Sequence, residues 1–202
     1  MLRNFSLLMS LMLCHHLLFS QGANNSQYEL ISRVSFGTLP FDANDMCNPS
    51  PNGLTNNQCV EYSDFTNGNN NNFDDNYTNT VYNYGITAGE TYDLELVGGM
   101  CGADPVVFGD ANRSFKVFID FDGDGIFTLP GEEVYTSPYT NETTPTFTTQ
   151  ITIPLNVSSG EKTMRVVYNR VGLFTLFWEA FNYSTNSYTY GEAEDYTLII
   201  TS

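Results

Sequence analysis

Asp120, Asp122 and Asp124 stand at alternate positions in the run Asp120-Phe121-Asp122-Gly123-Asp124-Gly125-Ile126-Phe127. Three carboxylates at this spacing can reach one hard cation from the same side of a curled loop. Gly125 permits the sharp turn, and the backbone carbonyl of Ile126 can add a further oxygen. An EF-hand is the wrong reading. Position twelve of such a loop falls on Gly131 instead of a bidentate glutamate, Glu132 and Glu133 come one and two residues late, and neither flank reads as a helix. The spacing instead predicts a loop at the end of a β-strand, with Glu132 or Glu133 closing the ligand shell. Many flexible carboxylates favour calcium over the smaller magnesium. The plainer alternative is a solvated acidic turn, because Asp-Gly steps form turns readily. A second acidic run, Gly191-Glu192-Ala193-Glu194-Asp195-Tyr196, precedes the closing apolar segment. Strand alternation places Glu192 and Glu194 on one side and Asp195 on the other. Alone, this run is an ordinary charged start to a strand.

The elements that must hold these residues are almost all strands. Short runs rich in Val, Ile, Tyr, Phe and Thr alternate with turns rich in Gly, Asn, Asp and Pro. Strands are predicted at 31–39, 60–65, 92–97, 115–120, 147–153, 162–169 and 196–200. The continuously apolar 115–120 reads as a central strand covered on both faces. Residues 67–76 form an Asn-rich loop, and Leu173 to Phe181 reads as a short helix or an apolar loop. No segment carries a clear 3.6-residue stripe, so the expected fold is all-β. It is an antiparallel two-sheet β-sandwich, jelly-roll-like or immunoglobulin-like.

Residues 1–20 read as a secretory signal peptide, with a short basic start at Arg3 and an apolar stretch up to Leu18. The stretch is too interrupted for a membrane span, and no later segment approaches one. Lipidation at Cys14 is not expected behind the bulky Leu13. Residues 21–27 are then a polar tail, and 28–202 a single domain. Losing Arg3 leaves 6 basic against 23 acidic residues, a formal charge of −17. That charge disfavours nucleic acid and anionic lipid and favours cation binding. The aromatic content of 14% argues against simple disorder. Cys47, Cys59 and Cys101 are an odd set in an exported chain. One disulfide and one leftover thiol are expected, with the pairing open. His15 and His16 leave with the signal segment, which removes histidine-ligated metal sites from the mature chain.

The chain resembles the GEVED domain family. The resemblance rests on Phe118 to Phe127, on Gly131-Glu132-Glu133-Val134, on Met164-Arg165-Val166, and on Gly191-Glu192-Ala193-Glu194-Asp195-Tyr196. Ile31-Ser32-Arg33-Val34 and Tyr62 to Thr66 look like further landmarks. The likeness spans roughly 28–201 and resembles a secreted accessory β domain of Bacteroidetes-type bacteria, commonly attached to peptidases or adhesins. It implies a β-sandwich, with Asp120, Asp122, Asp124, Glu192, Glu194 and Asp195 as the carried-over positions. The two acidic motifs are expected to meet around one cation. Asp122 stands where related loops often have asparagine. No sorting module follows Ser202, so surface anchoring by that route is not expected.

The function expected from these features is a secreted, calcium-stabilised, non-catalytic binding or adhesion module for a glycan or an extracellular protein. Cell-surface association and oligomeric state are left open. Tyr183, Tyr188, Tyr190 and Trp178 could stack on sugars, although aromatics more often fill β cores. The alternatives are a structural spacer or assembly subunit, and a glycoside hydrolase using a carboxylate pair from Glu179, Glu192, Glu194 or Asp195. Without a mature-chain histidine, no Ser-His-Asp or Cys-His arrangement is available.

Overall fold

The computed structural model describes residues 29–37, 39–42, 62–64, 83–100, 112–128, 130–171 and 191–202. The segment expected to be a signal peptide, the Asn-rich loop, Cys47, Cys59 and Cys101, Leu173 to Phe181 and the four candidate sugar-stacking aromatics lie outside these residues. The described chain forms β1 (Glu29–Phe36), β2 (Leu39–Asp42), β3 (Tyr62–Asp64), β4 (Asn83–Thr87), β5 (Thr91–Met100), β6 (Asn112–Ile119), β7 (Glu133–Thr136), β8 (Thr146–Thr152), β9 (Gly160–Val171) and β10 (Gly191–Thr201). The expected first strand is in fact two, β1 and β2, folded into an antiparallel pair. The short β4 and β7 were not legible as strands, being too short for alternation to register. No helix among the described residues is long and apolar enough to cross a membrane.

The strands make two sheets. One has the order β2-β1-β5-β8; the other runs β3-β10-β9-β6-β7, with β4 also paired to β10. The first sheet is antiparallel throughout. The second departs from the expected all-antiparallel arrangement, because β10 pairs parallel with β3 along its first half and with β4 along its second. Parallel neighbours need a long return connection instead of a tight hairpin. Both β3 and β4 are far from β10 in sequence, so local turn patterns carry no trace of the pairing.

Each sheet contributes alternate side chains to one shared core. Val34 and Phe36 of β1, Leu94 and Leu96 of β5, and Ile151 of β8 meet Phe115, Val117 and Ile119 of β6. Met164, Val166 and Tyr168 of β9 join them, with Tyr196, Leu198 and Ile200 of β10. Tyr168 stacks on Phe115 with ring centroids 4.3 Å apart. Its ring tip lies against Gly98 of the opposite sheet, where a β-carbon would come within 2.6 Å of it. The expectation for β6 holds: both of its faces are buried. The outward side of the second sheet is buried as well, at Phe118, Val167 and Ala193.

Candidate metal loop and closing acidic strand

The aspartate loop leaves the end of β6 and is held in place by hydrogen bonds. Asp120 is buried and its amide donates to the carbonyl of Thr163 on β9 at 2.9 Å. Its carboxylate then organises the loop, with Oδ1 accepting from the Gly123 amide (2.7 Å) and Oδ2 from the Gly125 amide (2.9 Å). Gly123 and Gly125 have φ of 79° and 80°, the left-handed region that glycine enters without strain. Asp122 accepts from the Asp124 amide and Asp124 from the Ile126 amide, at 3.1 and 2.7 Å. These local bonds curl the backbone until Asp120, Asp122 and Asp124 each present an oxygen within 4.8 Å of the others. Asp122 and Asp124 are exposed, so solvent reaches their carboxylates, while that of Asp120 is buried.

Glu132 grips the same loop from its far end. Its Oε1 accepts from the Phe121 and Asp122 amides (2.7 and 3.3 Å), and its Oε2 from the Thr128 amide at 2.7 Å. The residue placed by sequence at the rim of the ligand shell therefore acts on the backbone of the loop, satisfying amides that a strand would otherwise pair. Glu133 faces elsewhere: it takes Lys116 at 2.7 Å and the Thr136 hydroxyl at 2.6 Å. Ile126, the expected carbonyl donor, is an exposed side chain whose amide is bound to Asp124.

Lys162, not singled out in the sequence, sits beside this loop. It is buried, its Nζ donates to Ser158 Oγ at 3.2 Å, and the same ammonium would lie 3.3 Å from a β-carbon at Gly123. A fixed positive charge there offsets part of the carboxylate repulsion and opposes an incoming cation. Lys162→Met is expected to tighten divalent-ion binding roughly tenfold while lowering stability in chelator, both from loss of one nearby charge. Isothermal titration beside a thermal melt checks both signs.

The closing motif lies elsewhere on the sheet. In the ladder, Thr163 is opposite Thr197, Arg165 opposite Asp195 and Tyr168 opposite Glu192. Asp120 is therefore level with Thr197. Asp195, Glu194 and Glu192 lie two, three and five residues back along β10, about 7 to 17 Å from that level, and the intervening β9 adds about 10 Å across the sheet. The structure brings the two acidic motifs into one sheet but not onto one point.

Each closing carboxylate has its own partner. Asp195, on the outward side, grips Arg165 with two bonds, Nε to Oδ1 at 2.7 Å and an end nitrogen to Oδ2 at 2.6 Å. The Arg165 guanidinium lies 5.1 Å from the centre of the Phe127 ring, and that ring packs on Phe118 at 5.5 Å. Phe127 thus links the end of the aspartate loop to the arginine that holds Asp195. Glu192 and Glu194 face inward, between the sheets, both fully buried. Glu194 accepts from the Tyr196 hydroxyl at 2.6 Å.

Glu192 crosses to the other sheet. Its Oε2 accepts from the Ile31 amide of β1 at 2.6 Å. Ile31 sits where the β1–β5 register shifts between Ile31 and Arg33, and Ser32 fills the irregularity by donating its hydroxyl to Val97 and Gly98 carbonyls. A bulge frees backbone groups from the ladder; here the freed amide meets a carboxylate from the facing sheet. Leaving that buried amide without an acceptor costs about 1–3 kcal/mol. Glu192→Ala is expected to lose that much in urea denaturation, and Glu192→Gln, which keeps an acceptor, clearly less. If Glu192 instead served a cation, both variants would match the parent in chelator and differ from it only with the ion present.

Two sheets closed over a shared core, a carboxylate loop at one strand end and a buried acidic strand at the close define an all-β domain built around acidic motifs. Residues 114–199 match the family model of the GEVED domain. The match takes in the aspartate loop, Arg165 and the whole closing motif; the earlier landmarks near Ile31 and Tyr62 lie outside it. No curated protein matches the chain. Among solved structures, it is similar to the CARDB domain of a Pyrococcus furiosus protein, at 10% identity over 58% of this chain and 86% of that one, TM-score 0.35. It is similar to a Niemann-Pick type C2 protein from Japanese carpenter ant, at 7% identity over 91% and 100%, TM-score 0.37. It is also similar to an AA10 lytic polysaccharide monooxygenase from Streptomyces lividans, at 14% identity over 68% and 74%, TM-score 0.32. None of these likenesses is strong enough to carry a functional assignment.

Proposed function

We propose that this protein is a secreted, non-catalytic accessory domain, stabilised by calcium at the Asp120–Asp124 loop, that binds an extracellular glycan or protein. The observation that carries the metal reading is the convergence of Asp120, Asp122 and Asp124 within 4.8 Å. Like charges held that close repel, and a divalent ion relieves the repulsion while oxygens from water or from the Ile126 carbonyl complete a calcium-sized shell. The apolar start of the chain supports export. A binding role in place of a catalytic one is supported by the engagement of Glu192, Glu194 and Asp195 with Ile31, Tyr196 and Arg165. A polar ligand would suit the outward face of the first sheet, where Ser35, Asp93, Glu95, Thr148 and Gln150 line a shallow groove of about 430 Å³.

The experiment is a thermal melt in EDTA, repeated with added calcium and with added magnesium. Calcium should raise the midpoint by several degrees and magnesium by less. No shift with either ion would leave the loop a hydrogen-bonded acidic turn and remove the metal from the reading.

A further inference from the structure

β8 forms one edge of the first sheet among the described residues. β8 reads Thr146-Phe147-Thr148-Thr149-Gln150-Ile151-Thr152 and is bordered by β5 on one side, with no strand on the other among the described residues. The bonds that flank it show which backbone groups face outward. Gly98 donates to the Pro145 carbonyl and Ile153 donates to the Glu90 carbonyl, both at 2.9 Å, so the odd-numbered residues bond to β5. By alternation, the amides and carbonyls of Thr146, Thr148, Gln150 and Thr152 point to the open edge. All four residues are exposed.

Soluble proteins usually blunt such an edge with charge, proline or a bulge. β8 has none of these, and its pairing with β5 runs without a register shift. The contrast with the rest of the chain is sharp. The sequence carries 23 acidic residues, yet no charged residue occurs from Thr143 to Gly160. A protein of formal charge −16 repels its own copies over most of its surface; this strand adds no charge of its own to that repulsion.

We propose that β8 pairs antiparallel with β8 of a second copy of this chain, about a two-fold axis through Thr149. With the axis there, the seven residues overlap completely. Thr146 faces Thr152 of the second copy, Thr148 faces its Gln150, and the reverse pairs follow by symmetry. Every outward-pointing amide and carbonyl then finds a partner, about eight bonds at two per hydrogen-bonded pair. On the inward side, Phe147 meets Ile151 of the second copy, both being side chains that already pack on the core. The isologous contact closes on itself, so it gives a dimer and not a fibre. This assembly is independent of the metal reading, although Thr148 and Gln150 of its edge also line the groove on the outward face of the first sheet.

Sedimentation velocity across a wide concentration series tests it. A seven-residue ladder is a small interface, so dimerisation is expected on the order of 10–100 μM. Thr148→Pro removes an outward amide that the protomer does not use, and should weaken association at least tenfold with an unchanged melt. Thr148→Lys with Gln150→Lys sets like charges opposite each other and should do the same. Thr149→Cys reports the register. Its two copies would be a non-hydrogen-bonded pair with Cα atoms about 4.5 Å apart, within disulfide reach. It should therefore form a covalent dimer under oxidation beyond the baseline set by Cys47, Cys59 and Cys101. Thr152→Cys, whose copies stand six strand steps apart, about 20 Å, should not. A parent that stays monomeric throughout the series, or a dimer that survives both the proline and the paired-lysine variants, would overturn the proposal.

Discussion

Gly191→Ala is expected to cost the protein a large part of its stability. Gly191 opens the closing strand at φ 132°, a conformation that side chains rarely adopt. A β-carbon built there would lie 2.1 Å from the Tyr168 carbonyl oxygen and 3.0 Å from the Asn169 α-carbon. Both obstacles are backbone of the neighbouring strand and cannot swing aside as a lysine tip would. Relief requires β9 and β10 to part at Gly191–Asn169, next to the pair formed by Glu192 and Tyr168. Tyr168 is stacked on Phe115 and wedged against Gly98, so the displacement reaches both sheets. Strained backbone and overpacking together put the cost at about 4 kcal/mol, a large part of the roughly 5–15 kcal/mol that holds an ordinary domain together. Urea denaturation of the variant measures it. Gly131→Ala is the control, since a β-carbon there meets nothing within 4 Å. A Gly191→Ala protein as stable as the control would mean that the two strands do not approach in this way. The motif's glycine is thus a steric requirement of strand packing, independent of any ligand.

The second large effect concerns the ion. If the loop takes calcium as proposed, calcium at about a hundred times its dissociation constant, bound to the folded state alone, adds about 2.7 kcal/mol, equivalent to roughly 5–10 °C for a domain of this size. Asp122→Ala combined with Asp124→Ala should remove that gain. In EDTA the same double variant should melt close to the parent, because relieved repulsion offsets the lost bonds to the Asp124 and Ile126 amides. Asp120→Ala should behave differently. It loses the calcium response and also destabilises the chelated protein by about 2 kcal/mol, since the Gly123 and Gly125 amides lose their acceptors. A double variant that keeps the full calcium shift would place the ion elsewhere. The two kinds of variant separate the ligand role of a carboxylate from its role in shaping the loop.

Much of the candidate site was readable from spacing. Alternate aspartates followed by glycine predicted a curled carboxylate loop, and the loop is there because each aspartate accepts an amide two to five residues ahead of it. Such bonds are local, so residue type and order suffice to specify them. The alternation that put Glu192 and Glu194 on one side and Asp195 on the other was equally legible. What the pattern concealed was that both sides are buried. Acidic residues at a strand start read as exposed, because ionised carboxylates are rarely buried without a partner. The partners here are Arg165, 30 residues away, and the Ile31 amide, 161 residues away. Lys162 was overlooked for the same reason: its neighbour Gly123 is reached only through the sheet.

The sequence by itself determined an all-β chain, the strands around Leu94, Phe115, Val166 and Leu198, and the carboxylate loop after β6. Period-two patterning and side-chain-to-backbone bonds act over a few residues, and need no knowledge of the rest of the fold. Only the tertiary structure decided that β10 runs parallel to β3 and β4, that Glu192 caps a bulge in the opposite sheet, and that Phe127 and Arg165 join the loop to the closing motif. Those outcomes depend on which strands lie side by side. That choice is made by burying one common core, and it selects partners across the whole length of the chain.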